Sequence, residues 1–271
     1  MMNSTASFDA LKYDHGLLSP VTDCLTVEEA LQVSINGVAY TVTMRSPGDD
    51  HHLVRGLLLT EGIYTDLDAG FGSFVETRRN RAGVPLKIDV RIDPSKIRKP
   101  FENSRSYLSA SSCGLCGKRE LDDIEVKGHV IECDRKLDLG LLETMFARMR
   151  ERQESFEASG GSHASAALSI DGELLSIKED IGRHNAVDKV IGELIENKTM
   201  DRASCLLVSG RISYEIVAKA FMARIPFLAA VSAPSSLAVE TAESMGICII
   251  GFCRNGKATA YSMQSRIREG A

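Results

Sequence analysis

Two cysteines separated by two residues, Cys113 and Cys116, lie in the run Ser111-Ser112-Cys113-Gly114-Leu115-Cys116-Gly117. Small residues on either side let the backbone turn tightly and leave sulfur within reach, so the segment reads as a reactive or metal-binding loop rather than core filler. Lys118 and Arg119 follow directly and either favour the thiolate or are simply solvated. A structural zinc site would need four ligands, normally two close pairs, yet the chain has no second C-x-x-C and no H-x-x-x-H. Only Cys133, His163, His184 and Cys205 are candidates to complete one. A deaminase-type zinc centre would put His-x-Glu upstream and proline before the first cysteine. No His-x-Glu precedes Cys113, and Ser112 stands at the proline position. Redox chemistry of the thioredoxin kind, with a C-x-x-C at a helix start, therefore stands beside the metal readings.

A second group of residues is spread along the C-terminal third. Short apolar runs at 205–208, 227–231 and 248–252 alternate with helical patterns at 214–224 and 237–245, which implies a largely parallel sheet with covered faces. Ligands of such sheets collect at the carboxyl ends of the strands. Those ends carry Ser209-Gly210-Arg211, Ser232-Ala233-Pro234-Ser235-Ser236 and Arg254-Asn255-Gly256-Lys257. Free helix N–H groups with Arg211, Arg254 and Lys257 suit a phosphate-bearing ligand. The plainer reading is that Ser235 or Ser236 caps a helix and the cations face water. Upstream, Asn185 can cap a helix whose stripe is Val187, Val190, Ile191 and Leu194, placing Asp180-Ile181-Gly182-Arg183-His184 at its start. His163 and His184 could move protons or orient a ligand there, or could be packed structural residues.

These side chains need a frame. Residues 29–33 and 39–44 read as strands joined by Asn36-Gly37, residues 49–64 as a helix, and residues 86–93 as an alternating strand of the same sheet. The proline-bearing, charged stretch 93–102 reads as a linker, which divides the chain into a smaller α+β domain at 1–100 and a larger domain at 101–271. Residues 139–156 form one helical candidate, ended by Gly160-Gly161. Met145, Met149 and Phe221 fit helix cores, and Cys205 and Cys248 fall in apolar strands, where a thiol is inert. A chain of 271 residues can bury a large core, and its formal charge of -5 argues against a nucleic-acid partner. Seven cysteines, an odd count in so long a chain, point to a reducing compartment. Residues 1–20 lack a basic start followed by an apolar run, and no stretch approaches a membrane span, so the expectation is a soluble, cytoplasmic protein.

Taken together, the Ser-Cys-Gly-Leu-Cys-Gly loop at 112–117, Gly160-Gly161-Ser162-His163-Ala164, the run from Glu179 to Lys189, Ser209-Gly210-Arg211 and the run from Ala233 to Val239 resemble the FdhD family of formate dehydrogenase accessory sulfurtransferases. The likeness runs from the Asn36-Gly37 hairpin to Tyr261; Ser159 stands where the family is expected to have threonine. The resemblance implies a cytidine-deaminase-like three-layer domain with a mostly parallel core sheet, plus the smaller N-terminal α+β domain. It implies a sulfur carrier that accepts persulfide sulfur from a cysteine desulfurase and passes it to the molybdenum cofactor, bis-molybdopterin guanine dinucleotide, for formate dehydrogenase. Cys113 matches the persulfide-bearing cysteine and Cys116 its loop partner. Phe252, Cys253, Arg254, Asn255, Gly256 and Lys257 match the cofactor-binding stretch, and the strand ends read above from the residue pattern, Ser209, Gly210, Arg211, Ser235 and Ser236, with His184 at the helix start, are expected to join it. A homodimer with no permanent metal is also implied. The alternatives are a cofactor-binding chaperone without sulfur transfer and a zinc-dependent, deaminase-like hydrolase.

Overall fold

The computed structural model describes residues 4–66, 71–98 and 128–268. A ribbon of β1 (Thr5–Asp14) and β2 (Leu17–Thr26) leads into β3 (Glu29–Ile35), β4 (Val38–Arg45), helix α1 (Asp50–Thr60), β5 (Ser73–Arg79) and β6 (Pro85–Arg91). The last four strands form a sheet in the order β4-β3-β6-β5, with β3 and β6 parallel and the outer pairs antiparallel. Asn36 and Gly37 turn the β3–β4 hairpin with φ of 50° and 85°, the two positive values a tight hairpin of this twist requires. Alternate residues Leu31, Val33 and Ile35 face Leu53, Val54 and Leu58 of α1. The ribbon is absent from the sequence expectations, because its mixed polar and apolar residues have no single buried face to impose a pattern.

The larger part contains β7 (Leu137–Asp138), α2 (Gly140–Arg150), α3 (Glu154–Ser159), β8 (His163–Leu168), β9 (Leu174–Asp180), α4 (Arg183–Glu196), β10 (Cys205–Val208), α5 (Tyr214–Met222), β11 (Phe227–Ala230), α6 (Ser236–Met245), β12 (Cys248–Arg254), β13 (Lys257–Ala260) and β14 (Ile267–Arg268). Its six-stranded sheet runs β13-β12-β11-β10-β8-β9. Only β10, β11 and β12 are mutually parallel, and β8, β9 and β13 join antiparallel, so the expected mostly parallel core sheet is instead mixed. The reason lies in the connections. Helical crossovers through α5 and α6 return the chain in the same direction, whereas short turns after β8 and β12 reverse it. Leu206, Val208, Leu228 and Ile249 face α4, α5 and α6, while Cys205, Leu207, Phe227 and Ile250 face α2. Burial on both faces explains why these strands read as continuous apolar runs.

Two local expectations change. The single helix at 139–156 is two helices, broken at residues 151–153. Asn185 does not cap α4; Gly182 does, and the Asn185 amide lies inside the helix, donating to the Met44 carbonyl at 2.7 Å and to Asp180 Oδ1 at 3.1 Å. Tertiary acceptors on β4 and β9 outbid the local capping geometry.

Helix α1 crosses α4 at backbone contact. A Cβ on Gly192 would lie 1.9 Å from the His52 carbonyl oxygen, and one on Gly56 would lie 1.9 Å from that of Asp188. Buried ions bind the same crossing to the sheet: Lys219 Nζ donates to both Asp188 oxygens at 2.8 Å and to Thr60 Oγ1 at 3.0 Å. Lys189 Nζ pairs with Asp180 at 2.8 Å and donates to the Ser46 carbonyl at 3.0 Å. Asp180, expected to frame the α4 start, does so through this pairing. The expected domain boundary at residues 100–101 lies outside the described residues.

Candidate functional site

Because β8 runs against β10 while β9 and β12 run with it, one edge of the sheet collects His163, Asp180, Ser209, Val231 and Arg254, and α4, α5 and α6 all start there. Ser209 is held to β8 from both sides: its N–H donates to the Ala164 carbonyl at 3.0 Å, and its Oγ accepts from the Ala164 N–H at 2.9 Å. The same Oγ lies 3.5 Å from His163 Nδ1. A Cβ on Gly210 would approach Arg183 Cδ at 3.4 Å and His163 Nδ1 at 3.5 Å, so the glycine keeps the turn after β10 pressed to this edge.

A cleft of about 520 Å³ opens here on the α2 face. Its floor includes His163, Ser209, Val231 and Cys253, its walls include Phe146 and Met149 of α2 and Phe156 of α3, and Arg150, Arg254, Asn255 and Glu143 complete its lining. The volume is that of a site for a single small ligand or one arm of a larger one, with apolar walls and a few polar groups to orient it. The break between α2 and α3 makes the wall. Glu179 on β9 accepts from the N–H groups of Ser155 and Phe156 at 2.8 and 2.9 Å and from Ser162 Oγ at 2.6 Å, fixing the start of α3 and the Gly160-Gly161 turn. Arg150 stacks over Phe156 at 4.4 Å from the ring centre and pairs with Glu157 at 2.9 Å.

The far side of the cleft is the β12–β13 turn. Asn255 and Gly256 both have positive φ, 53° and 69°, and the hairpin bulges between Gly251 and Arg254. Phe252 also has a positive φ, 54°, an uncommon state for an aromatic residue, and its N–H donates to the Ser232 carbonyl at 3.2 Å. Its side chain is partly exposed.

Electrostatics separate these groups. Burial, helped by Arg183, lowers the His163 pKa, so its imidazole stays neutral and can accept or donate a hydrogen bond to a ligand. Burial and the charges of Lys219 and Arg183 push His184 down to about 3. Burial pushes the Cys253 thiol up to about 11 and Cys248 up to about 12, and raises Cys205 further, which makes all three poor thiolates at neutral pH.

Of the expected site residues, Ser209, Cys253, Arg254 and Asn255 meet in the cleft. Phe252, Gly256 and Lys257 belong to the same turn, and Gly210 sits behind His163. Arg211, Ser235, Ser236 and His184 do not line the cleft. Ser235 caps α6, accepting from the Ala238 N–H at 3.2 Å, and the buried His184 Nε2 faces Glu215 at 4.0 Å on the α5 side. Cys113 and Cys116 lie outside the described residues. The sequence reading missed Arg150 and Phe156, which sit at positions where a longer helix would have buried or solvated them, and left His163 open between orienting a ligand and packing; it lines the cleft. The Gly160-Gly161 break was the one local signal for the wall. Among the described residues no three His, Cys, Asp or Glu side chains stand where they could share a metal ion, and no helix is long and apolar enough to cross a membrane.

Comparison with known proteins matches residues 26–268 to the model of the FdhD/NarQ family. A sulfur carrier protein FdhD of Streptomyces avermitilis is 39% identical over 263 residues, spanning 93% of this chain and 92% of its own. The Mycobacterium tuberculosis protein of that name is 40% identical over 265 residues, 95% of each chain, and the one from Sulfolobus acidocaldarius 35% over 257 residues, 94% and 96%. A crystal structure titled as a formate dehydrogenase accessory protein from Desulfotalea psychrophila superposes with a TM-score of 0.75 over 98% of this chain and all of that one. At 16% identity it bears on the fold alone.

Proposed function

The chain belongs to the FdhD/NarQ family, and from that premise we propose that it is a sulfur carrier in the maturation of formate dehydrogenase. Relatives spanning nearly the whole chain carry the sulfur carrier name, which supports this role. The thiolate of Cys113 attacks the sulfane sulfur of a cysteine desulfurase persulfide, forming Cys113-S-SH and releasing the donor cysteine as its thiolate; Cys116 stands by as the loop partner. The outer sulfur is then passed to the molybdenum cofactor, bis-molybdopterin guanine dinucleotide, held as a substrate at the strand-end edge: the S–S bond breaks, Cys113 leaves as its thiolate, and the acceptor, in its reduced form, would supply the electron pair. The reading carries with it deaminase-like descent of the larger domain, a cytoplasmic setting and a homodimer.

The observation that carries the binding half of this reading is the cleft that joins Ser209, His163, Cys253, Arg254 and Asn255 under the apolar wall of α2 and α3. Phe156 and the exposed Phe252 offer faces for a planar base. Arg254 and the Asn255-Gly256 turn offer a cation and backbone N–H groups for phosphate. The cleft is sized for one nucleotide arm of the cofactor rather than the whole. His163, neutral, holds a hydrogen bond to ligand or to Ser209 without adding charge.

The test separates sulfur transfer from binding. After incubation with a desulfurase and cysteine, mass spectrometry of the wild type should show one added sulfur atom on Cys113, lost in Cys113→Ala. Arg254→Ala should keep the persulfide and weaken binding of guanine nucleotide by roughly tenfold or more, the scale of one charge-assisted contact. Full persulfide loading of Cys113→Ala would remove that cysteine as the carrier. Persulfide-free wild type that still supports formate dehydrogenase would favour a chaperone without sulfur transfer, and stoichiometric bound zinc would revive a hydrolase.

A further inference from the structure

Arg150, in the last turn of α2, is held twice by α3. Its guanidinium carbon lies 4.4 Å from the centre of the Phe156 ring, and Nη2 donates to Glu157 Oε2 at 2.9 Å. Among the described residues no other acceptor takes a hydrogen bond from this guanidinium. Both holds are weak. Half of the Arg150 side chain and 78% of the Glu157 side chain are exposed, and an ion pair in that setting shifts an equilibrium by at most about fivefold. An exposed cation–π contact adds roughly two- to fivefold.

Arg150 and Phe156 line the cleft together, and Glu157 stands outside it. The guanidinium therefore covers one face of the ring at the α3 wall, and a planar base takes that face only when the guanidinium has left it. The charges around the cleft give the freed cation a use. Among the described lining residues the cations are Arg150 and Arg254, on opposite sides, while His163 is neutral and Cys253 stays protonated. Glu143 is the one carboxylate among them and faces the Gly256 turn.

We propose that Arg150 is a ligand-recruited clamp. In the free protein it is latched on Phe156 and Glu157; an incoming base displaces it from the ring, and it swings onto a phosphate of the same nucleotide, facing Arg254 across the cleft. The clamp presupposes the nucleotide site read above and adds to it a residue that selects nucleotides over nucleosides. A charge-assisted hydrogen bond to phosphate shifts an equilibrium by roughly tenfold to a hundredfold, and a guanidinium makes two of them in parallel. That outweighs the latch. A nucleoside must displace the same cation and offers it no anion in return, so the latch works against it.

Isothermal titration calorimetry of the full chain with GDP and with guanosine tests it. Arg150→Gln should weaken GDP binding by roughly tenfold and tighten guanosine binding by about two- to fivefold, because the ring face is then bare. An arginine that merely braced the cleft wall would move both ligands in the same direction. Glu157→Gln should tighten GDP binding by about two- to fivefold, and that gain should vanish in Arg150→Gln/Glu157→Gln, since Glu157 acts through Arg150. Guanosine weakened along with GDP, GDP indifferent to Arg150→Gln, or a Glu157→Gln gain that survives without Arg150 would each overturn the clamp alone. Wild type that binds no GDP would overturn the nucleotide site and the clamp together.

Discussion

Replacing Gly192 by alanine pits two physical effects of opposite sign against each other. In an isolated helix the change stabilises by about 1 kcal/mol, because alanine loses less backbone entropy than glycine. At the α1–α4 crossing the new Cβ would lie 1.9 Å from the His52 carbonyl oxygen, 2.6 Å from its carbon and 2.8 Å from its Cα. Those are backbone atoms of a packed helix and no rotamer relieves them. Bringing the nearest contact out to 3.0 Å requires about 1.1 Å of separation, the difference between those two distances. Core overpacking of this kind costs about 1–3 kcal/mol and more when backbone must move, so a gross cost of about 4 kcal/mol is reasonable. After the propensity gain, a net loss of about 3 kcal/mol is expected. Urea unfolding followed by circular dichroism reads it as a midpoint lowered by about 1 M. Gly56→Ala, whose Cβ would meet the Asp188 carbonyl oxygen across the same crossing, should behave alike. The double variant should cost clearly less than the sum, since one displacement makes room for both methyls. A neutral or stabilised Gly192→Ala protein would refute the close crossing, and with it the account of how α4 is held so that its start reaches the strand-end edge.

Further outcomes follow from the buried charges. Lys219→Met leaves the Asp188 carboxylate buried without its cation and should cost about 3–5 kcal/mol, whereas Lys219→Met/Asp188→Asn should recover at least half, both measured by urea unfolding. His184, held near 3 when folded and titrating near 6.5 when unfolded, leaves the unfolded chain with more bound protons between those values. Stability therefore falls as pH drops through that window, by roughly 1–2 kcal/mol between pH 7 and pH 5, and His184→Gln should flatten the slope. His163 contributes in the same direction.

The spacing of residues along this chain determined a good deal: the hairpin turned by Asn36-Gly37, the helix from residue 50, and the apolar strands at 205, 227 and 248 with the helices between them, because each obeys a local period. The inert character of Cys205 and Cys248 was equally legible, since a thiol in a strand buried on both faces has no route to solvent. What tertiary structure alone decided is where those pieces meet. The antiparallel entry of β8 and β9 depends on turns whose direction no period encodes. The Asn185 amide left its capping place for the Met44 carbonyl, more than a hundred residues away in sequence. Phe156 and Arg150 became a cleft wall only because Glu179, a residue of another strand, ties down the start of α3. Hydrophobic periodicity reports which face of an element is buried, and says nothing about which distant backbone groups will complete its hydrogen bonds.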